Sequence, residues 1–285
     1  MEITVVNAKM KITRSIAGAV LFVFGCGHVC GQRSAFEVAS VKVNANPPRM
    51  GMGAIHYSPD TLTARGVSMW LLVRWAYGVG SFQIAGPVSM QEAPYYDIDA
   101  KPGGAVPPRQ LRVMLQALLA ERFHLAVHRE KKEMPVTALV VAKGGAKLYE
   151  SGGKFEAGLG AEAPLQFLGF DNNVHVQRNV GPDGRVRDSF TDMPMSVFAQ
   201  VLELMGSRTP YDKVAVIDGT GLQGRFDFSI VTERRNPGDD GSQAEDPLVV
   251  YKRILPGQVG LALERRTAPV EVLVVDLVDR RPTGN

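Results

Sequence analysis

The hydrophobic pattern of this chain switches repeatedly between two periods. Ala35 to Val43 (AFEVASVKV) alternates apolar and polar residues, which predicts a strand. Thr61 to Val67 is rich in β-formers and reads as a second strand. From Ser68 the period changes. Met69, Leu72, Val73 and Ala76 fall on one helical face, so a helix is expected to Tyr77 with Ser68 as its cap. Phe82 to Ala85 and Tyr95 to Ala100 read as strands separated by Gly86-Pro87. Pro107-Pro108 opens a helix over 109–122, with Leu111, Met114, Leu115, Leu118 and Leu119 at helical spacing. Leu125 to Arg129 and Val136 to Ala142 are expected as two closing strands.

The same succession returns later in the chain. Gly66–Tyr77 aligns with Pro194–Met205 at an offset of 128, and Tyr95–Ala100 with Arg225–Ile230 at 130. Leu125–Arg129 aligns with Leu261–Arg265 at 136, and Pro135–Lys143 with Pro269–Leu277 at 134. Four blocks in one order, with drifting offsets, point to a repeat whose loops carry small insertions. The expected fold class is α+β: a tandem duplication of a β-α-β-β-α-β-β unit, with helices packed on small mixed or antiparallel sheets. In the second copy Ser196 is the expected cap of a helix to Met205. Strands are expected at Ala215–Ile217 and Arg225–Val231, and a short helix at DPLVVYKRILPGQ by analogy with the first copy. The resulting division is residues 1–31 as a leader, 35–148 as the first unit, 149–188 as a Gly-rich linker with a possible strand at NNVHVQRNV, 189–280 as the second unit and 281–285 as a tail.

The leader sets the expected compartment. Met10 to Gln32 has a basic start (Lys11, Arg14), an apolar stretch from Ile16 to Phe24 and small residues at Val29-Cys30-Gly31. That is a secretory signal pattern, too short for an ordinary membrane span. Val23-Phe24-Gly25-Cys26 offers a lipoprotein alternative through Cys26. Both cysteines of the chain, Cys26 and Cys30, lie in this leader, so cleavage after Gly31 would leave no thiol chemistry. The remaining chain would carry a formal charge of +1, which marks no nucleic-acid partner. An exported protein is expected, periplasmic, envelope-associated or extracellular, without a membrane span in the mature chain.

Candidate chemistry is sparse. His124 and His128 sit on an expected strand, where residues four apart lie ~13 Å from each other, so no metal site is expected. Asp97 and Asp227 are matched positions of the two copies, and Asp99 is replaced by Ser229. A matched acid in both copies favours a structural role, such as accepting backbone N–H bonds in a turn; paired catalytic acids are the rival reading. Gly221-Leu-Gln-Gly224 precedes a strand rather than a helix, so it is a turn and not a phosphate loop. Trp75 is an interaction candidate if exposed, and a core residue otherwise. No cofactor is expected.

The stretches FEVASVK, YYDIDAK, LLAERFHLAVHRE, PVTALVVAKGGAKL, VIDGTGLQGRFDF and PVEVLVVDLVDRRPT resemble an exported family of unknown function expanded in Solibacter-type acidobacteria. The resemblance covers nearly the whole chain after the leader. It carries over no catalytic residue, and some relatives fused to a BlaR-like metallopeptidase domain imply sensing. The chain departs from that family at LPGQVGLAL. A fold-level similarity to the short β-α-β modules of secretin and TonB-receptor N-termini implies protein interaction. The function expected is non-catalytic binding of a protein or cell-envelope ligand. A secreted hydrolase using acidic residues and a ligand-sensing domain are the alternatives.

Overall fold

The computed structural model describes residues 35–46, 52–92, 94–152, 161–162, 175–207, 214–233 and 245–284. The leader, with Cys26 and Cys30, lies outside the described residues. Among those described, four helices and three sheets form a mixed α/β fold.

The first sheet has the order β1-β5-β3-β2 and is antiparallel throughout, with β1 Val38–Asn44, β2 Met52–Ser58, β3 Thr61–Val67 and β5 Tyr95–Lys101. Strand β2 has no counterpart in the sequence reading. Helix α1, Met69–Tyr77, follows β3 directly. The Ser68 side chain accepts the Leu71 N–H, and Gly78 closes the helix at φ 62°, where a side chain would be strained. Seven of its nine residues are buried, because it is enclosed on more than one face. Helix α2, Pro108–Phe123, buries only the expected stripe, extended by Phe123. These elements enclose one core, centred on Trp70, Leu72, Ile98, Leu115 and Leu119.

The third sheet, β7-β12-β10-β9-β8, runs β7 Tyr149–Glu150, β8 Ala161–Glu162, β9 His175–Val180, β10 Arg185–Met193 and β12 Phe226–Glu233. With α3 (Met195–Gly206) and α4 (Pro247–Gln258) it encloses a second core. There Phe190, Phe198 and Phe228 interlock at 4.9–5.3 Å between ring centroids. Helix α4 forms over the expected segment. Asp246 caps it, accepting the Leu248 N–H at 2.9 Å, and Pro247 takes the first turn. Pro256 falls in the last turn, where its missing N–H leaves only the Lys252 carbonyl without its helical donor. Asp246→Ala is expected to lower the urea midpoint by an amount equivalent to about 1 kcal/mol. Ser196 is not a cap: α3 starts at Met195 behind Pro194, which makes no side-chain cap bond.

A middle sheet joins the two cores. Its order is β11-β6-β13-β4, with β4 Ile84–Ala85, β6 Ala126–Val141, β11 Val216–Asp218 and β13 Leu261–Leu277. The two strands expected at 125–129 and 136–142 are one strand of 16 residues, since β13 pairs with it from Ala126 to Val141 and holds the intervening charged residues in the ladder. The flanking strands are short and parallel to their neighbours. β4 pairs with β13, and β11 pairs with β6. The strand expected at 82–85 is therefore only its last two residues, Ser81–Gln83 being a 3-10 turn. No helix of the described residues is long and apolar enough to cross a membrane.

Candidate functional site

Asp97 and Asp227 are the first candidates, and both are occupied by the fold. Asp97, on β5, has Oδ1 accepting the Gly66 N–H at 2.8 Å and the Asn44 amide at 2.8 Å. Asp227, on β12, has Oδ1 accepting the Asp192 N–H at 2.8 Å and the Ser151 hydroxyl at 2.7 Å. Gly66 and Asp192 have φ of 60° and 55°, and each lies where the ladder to the next strand shifts register. Such a bulge turns a backbone N–H out of the ladder, and a carboxylate from the adjacent strand is a suitable acceptor. Glycine adopts this conformation freely, and Asp is among the few other residues that tolerate it. Asp99 instead faces outward and pairs with Arg65.

Trp75 is 3% exposed. Its ring lies 5.6 Å from Tyr57 and the Arg112 guanidinium stands 5.7 Å above it. Solvent does not reach the face that an external partner would need. Gly221-Leu-Gln-Gly224 is a turn: Gly221 and Gly224 have φ of 69° and 102°, and the strand β12 follows. An Asx turn precedes it, Asp218 accepting the Thr220 N–H at 2.9 Å.

The two histidines do not converge. His124 ends α2 in the left-handed conformation and meets Asp279 at 2.7 Å. His128 lies on β6 between Asp276, 2.8 Å from Nδ1, and Glu130, 3.1 Å from Nε2. The hydrogen bonds to Asp276 and then Glu130 raise the His128 pKa above the usual histidine range. Any stabilisation from its protonation is therefore complete below the usual histidine pKa and lost as pH rises through the higher folded value. A proton NMR titration is expected to place its midpoint above the usual histidine range, and Asp276→Asn is expected to lower it. No group of three or more His, Cys, Asp or Glu among the described residues is placed to hold a metal ion.

One polar pair was not anticipated. Arg74 of α1 and Glu203 of α3 are both buried, with 3.8 Å between Nη2 and Oε1. Glu203 Oε1 also accepts the Ser81 N–H at 2.7 Å, while Oε2 has no hydrogen-bond partner. Burial raises the Glu203 pKa despite Arg74 beside it, and burial lowers that of Arg74 despite Glu203. Each residue is a lone charge inside an apolar helical sequence, WLLVRWAY and MSVFAQVLELM, and that was the available signal.

A concavity of about 1150 Å³ lies at the end of the third sheet and is open to solvent. It is lined by Asn179 of β9, Arg187 of β10, Ser229, Val231 and Glu233 of β12, and Arg253 and Gln258 of α4. Below it, the buried Asp188 receives two bonds from Arg178, at 2.7 and 2.9 Å. Tyr251 lies near this pair; its hydroxyl pKa is pushed up to about 12 by burial and then by Asp188. The groove combines both charge signs with amide and hydroxyl groups, a lining suited to a polar ligand held by several directional bonds.

No curated protein and no solved structure matches the chain. Residues 71–278 match the family described as "Protein of unknown function (DUF3738)". That span starts within α1 and runs past the end of β13, taking in the second core's sheet, the middle sheet and, of the first sheet, strand β5, and so the chain belongs to the DUF3738 family.

Proposed function

We propose that the chain is exported and acts as a non-catalytic binding module at the cell envelope or outside the cell, built by tandem duplication. The duplication is supported by mirrored details. Strand order β2-β3-β5-β1 corresponds to β9-β10-β12-β7, and the helices α1 and α3 follow equivalent strands. Asp97 and Asp227 accept equivalent bulge N–H groups. The short strands cross over, β4 to β13 and β11 to β6, as a pseudo-twofold relation requires.

The observation that carries the binding reading is the polar groove of about 1150 Å³ beside β12 and α4. It lies apart from the acids a hydrolase would have used, and those acids are engaged in the bulges. The test is a thermal-shift screen of cell-wall fragments and sugars, run beside pull-downs from envelope extract, with wild type and an Arg187→Ala/Arg253→Ala variant. A ligand or partner that stabilises wild type and loses its effect on the variant is expected. Turnover of a cell-wall fragment abolished by Asp97→Asn or Asp227→Asn in a folded protein would overturn the reading in favour of a hydrolase.

A further inference from the structure

The outer edges of β5 and β12 are treated differently. On β5, the neighbouring strand β1 pairs along all seven residues, from Asn44 opposite Tyr95 to Val38 opposite Lys101. On β12, the described strand at that edge is β7, which pairs only with Phe226 and Asp227. Beyond it, Ser229, Val231 and Glu233 line the groove. At Val231 a side chain stands in for a strand. The Val231 N–H donates to Gln258 Oε1 at 2.7 Å, and Gln258 Nε2 donates to the Val231 carbonyl at 2.9 Å. A primary amide has the donor and acceptor of one peptide unit, so Gln258 reproduces one rung of a ladder. Because N–H and C=O of alternate strand residues point to the same edge, those of Ser229 and Glu233 point the same way as those of Val231.

Taking the groove as the binding site, we propose that β12 docks an extended, acidic peptide segment of a partner protein, which pairs along Ser229–Glu233 after displacing the Gln258 amide. The extended form follows from the edge: β1 shows the geometry that an added antiparallel strand takes on the corresponding edge of β5. The acidic character follows from charge. Arg187, exposed and paired across the ladder with Val231, has no ion-pair partner among the described residues, whereas Arg253 is already engaged by Glu245 at 3.0 Å. A carboxylate on the added strand would give Arg187 its counter-charge. The backbone supplies affinity with little dependence on sequence, and Arg187 selects for the acid.

The experiment is fluorescence anisotropy of the full chain with a labelled heptapeptide alternating valine and glutamate, the length of β1. Binding is expected for this probe and not for its fully N-methylated form, which cannot donate to the edge. Gln258→Ala is expected to tighten binding about 3–10-fold by removing the competing amide, and Arg187→Glu to weaken it by about 10-fold or more. Val231→Pro, with its fold checked by thermal melting, is expected to abolish it. Equal binding of the N-methylated probe, or weaker binding by Gln258→Ala, would overturn the proposal. So would association of the Gln258→Ala chain with itself in sedimentation without peptide, which would make a second copy the occupant. If the peptide fails but an envelope ligand still depends on Arg187, the binding reading stands and the peptide falls. If ligand binding survives every groove substitution, the groove itself is the wrong site.

Discussion

Arg74→Ala is expected to cost about 3–5 kcal/mol of folding stability, because it leaves Glu203 buried without its counter-charge. Glu203 is 1% exposed, and only one of its carboxylate oxygens has a hydrogen-bond donor, Ser81 N–H. The reverse truncation, Glu203→Ala, strands the guanidinium and also removes the acceptor of Ser81 N–H. Replacing both residues together by methionine is a different experiment. The separation of 3.8 Å is long for a charge-assisted hydrogen bond. Desolvation dominates the pKa of both groups, in opposite directions. A pair whose desolvation outweighs its attraction is one that apolar residues can replace at little cost, so Arg74→Met/Glu203→Met is expected to be near wild type or more stable. Urea unfolding of the three variants checks the set. Equal destabilisation of the double and single variants would show that the pair contributes net stability.

The same pair has a pH signature. Glu203 titrates above the usual carboxylate value in the folded chain, so the native state binds its proton more tightly than the unfolded state. Its contribution is fully present below the usual glutamate pKa and is lost as pH rises from there through the folded value. Glu203→Gln is expected to remove this slope, and stability measured against pH in wild type and variant tests it.

Asp97→Ala and Asp227→Ala are each expected to destabilise by about 2–3 kcal/mol, the cost of leaving strand-edge donors without a charged acceptor. Asp227 is 7% exposed and Asp97 only half-buried, so the larger effect is expected at Asp227. The two acids lie in different sheets and share no partner, so the double substitution is expected to be additive within about 0.5 kcal/mol. Asp192→Gly, at the bulge position that Gly66 occupies in the first sheet, is expected to be tolerated by the backbone because glycine accepts φ near 55°. Unfolding free energies that stay at the wild-type value, with ligand binding lost, would instead give the acids a functional role.

The match of Asp97 with Asp227 was legible in the sequence, because aligned blocks carry residue identity. Their work was not, because a carboxylate accepting an N–H from a register shift requires knowing which strand lies beside it. The groove was illegible for a similar reason. It is made by residues of β9, β10, β12 and α4, which are brought together only by the sheet and by the packing of α4 beside it. Trp75 carried a candidate role only while its exposure was open, and packing against Tyr57 and Arg112 closed it.

Periodicity and capping chemistry, which are local, determined α1 between Ser68 and Gly78, α2 behind Pro107-Pro108, and strands β1, β3, β5 and β12 within a residue or a few. Tertiary contact decided the rest. Residues 126–141 form one strand because β13, more than a hundred residues later, pairs along their whole length and keeps the charged middle extended. β4 and β11 are two and three residues long and exist only through their partners. Arg74 meets Glu203 because α1 and α3 are brought together by sheets that neither helix encodes. A backbone hydrogen bond satisfied by a distant strand, and a charge compensated by a distant helix, leave little trace in the neighbouring residues; a helix cap or an amphipathic stripe is written within a few positions of itself.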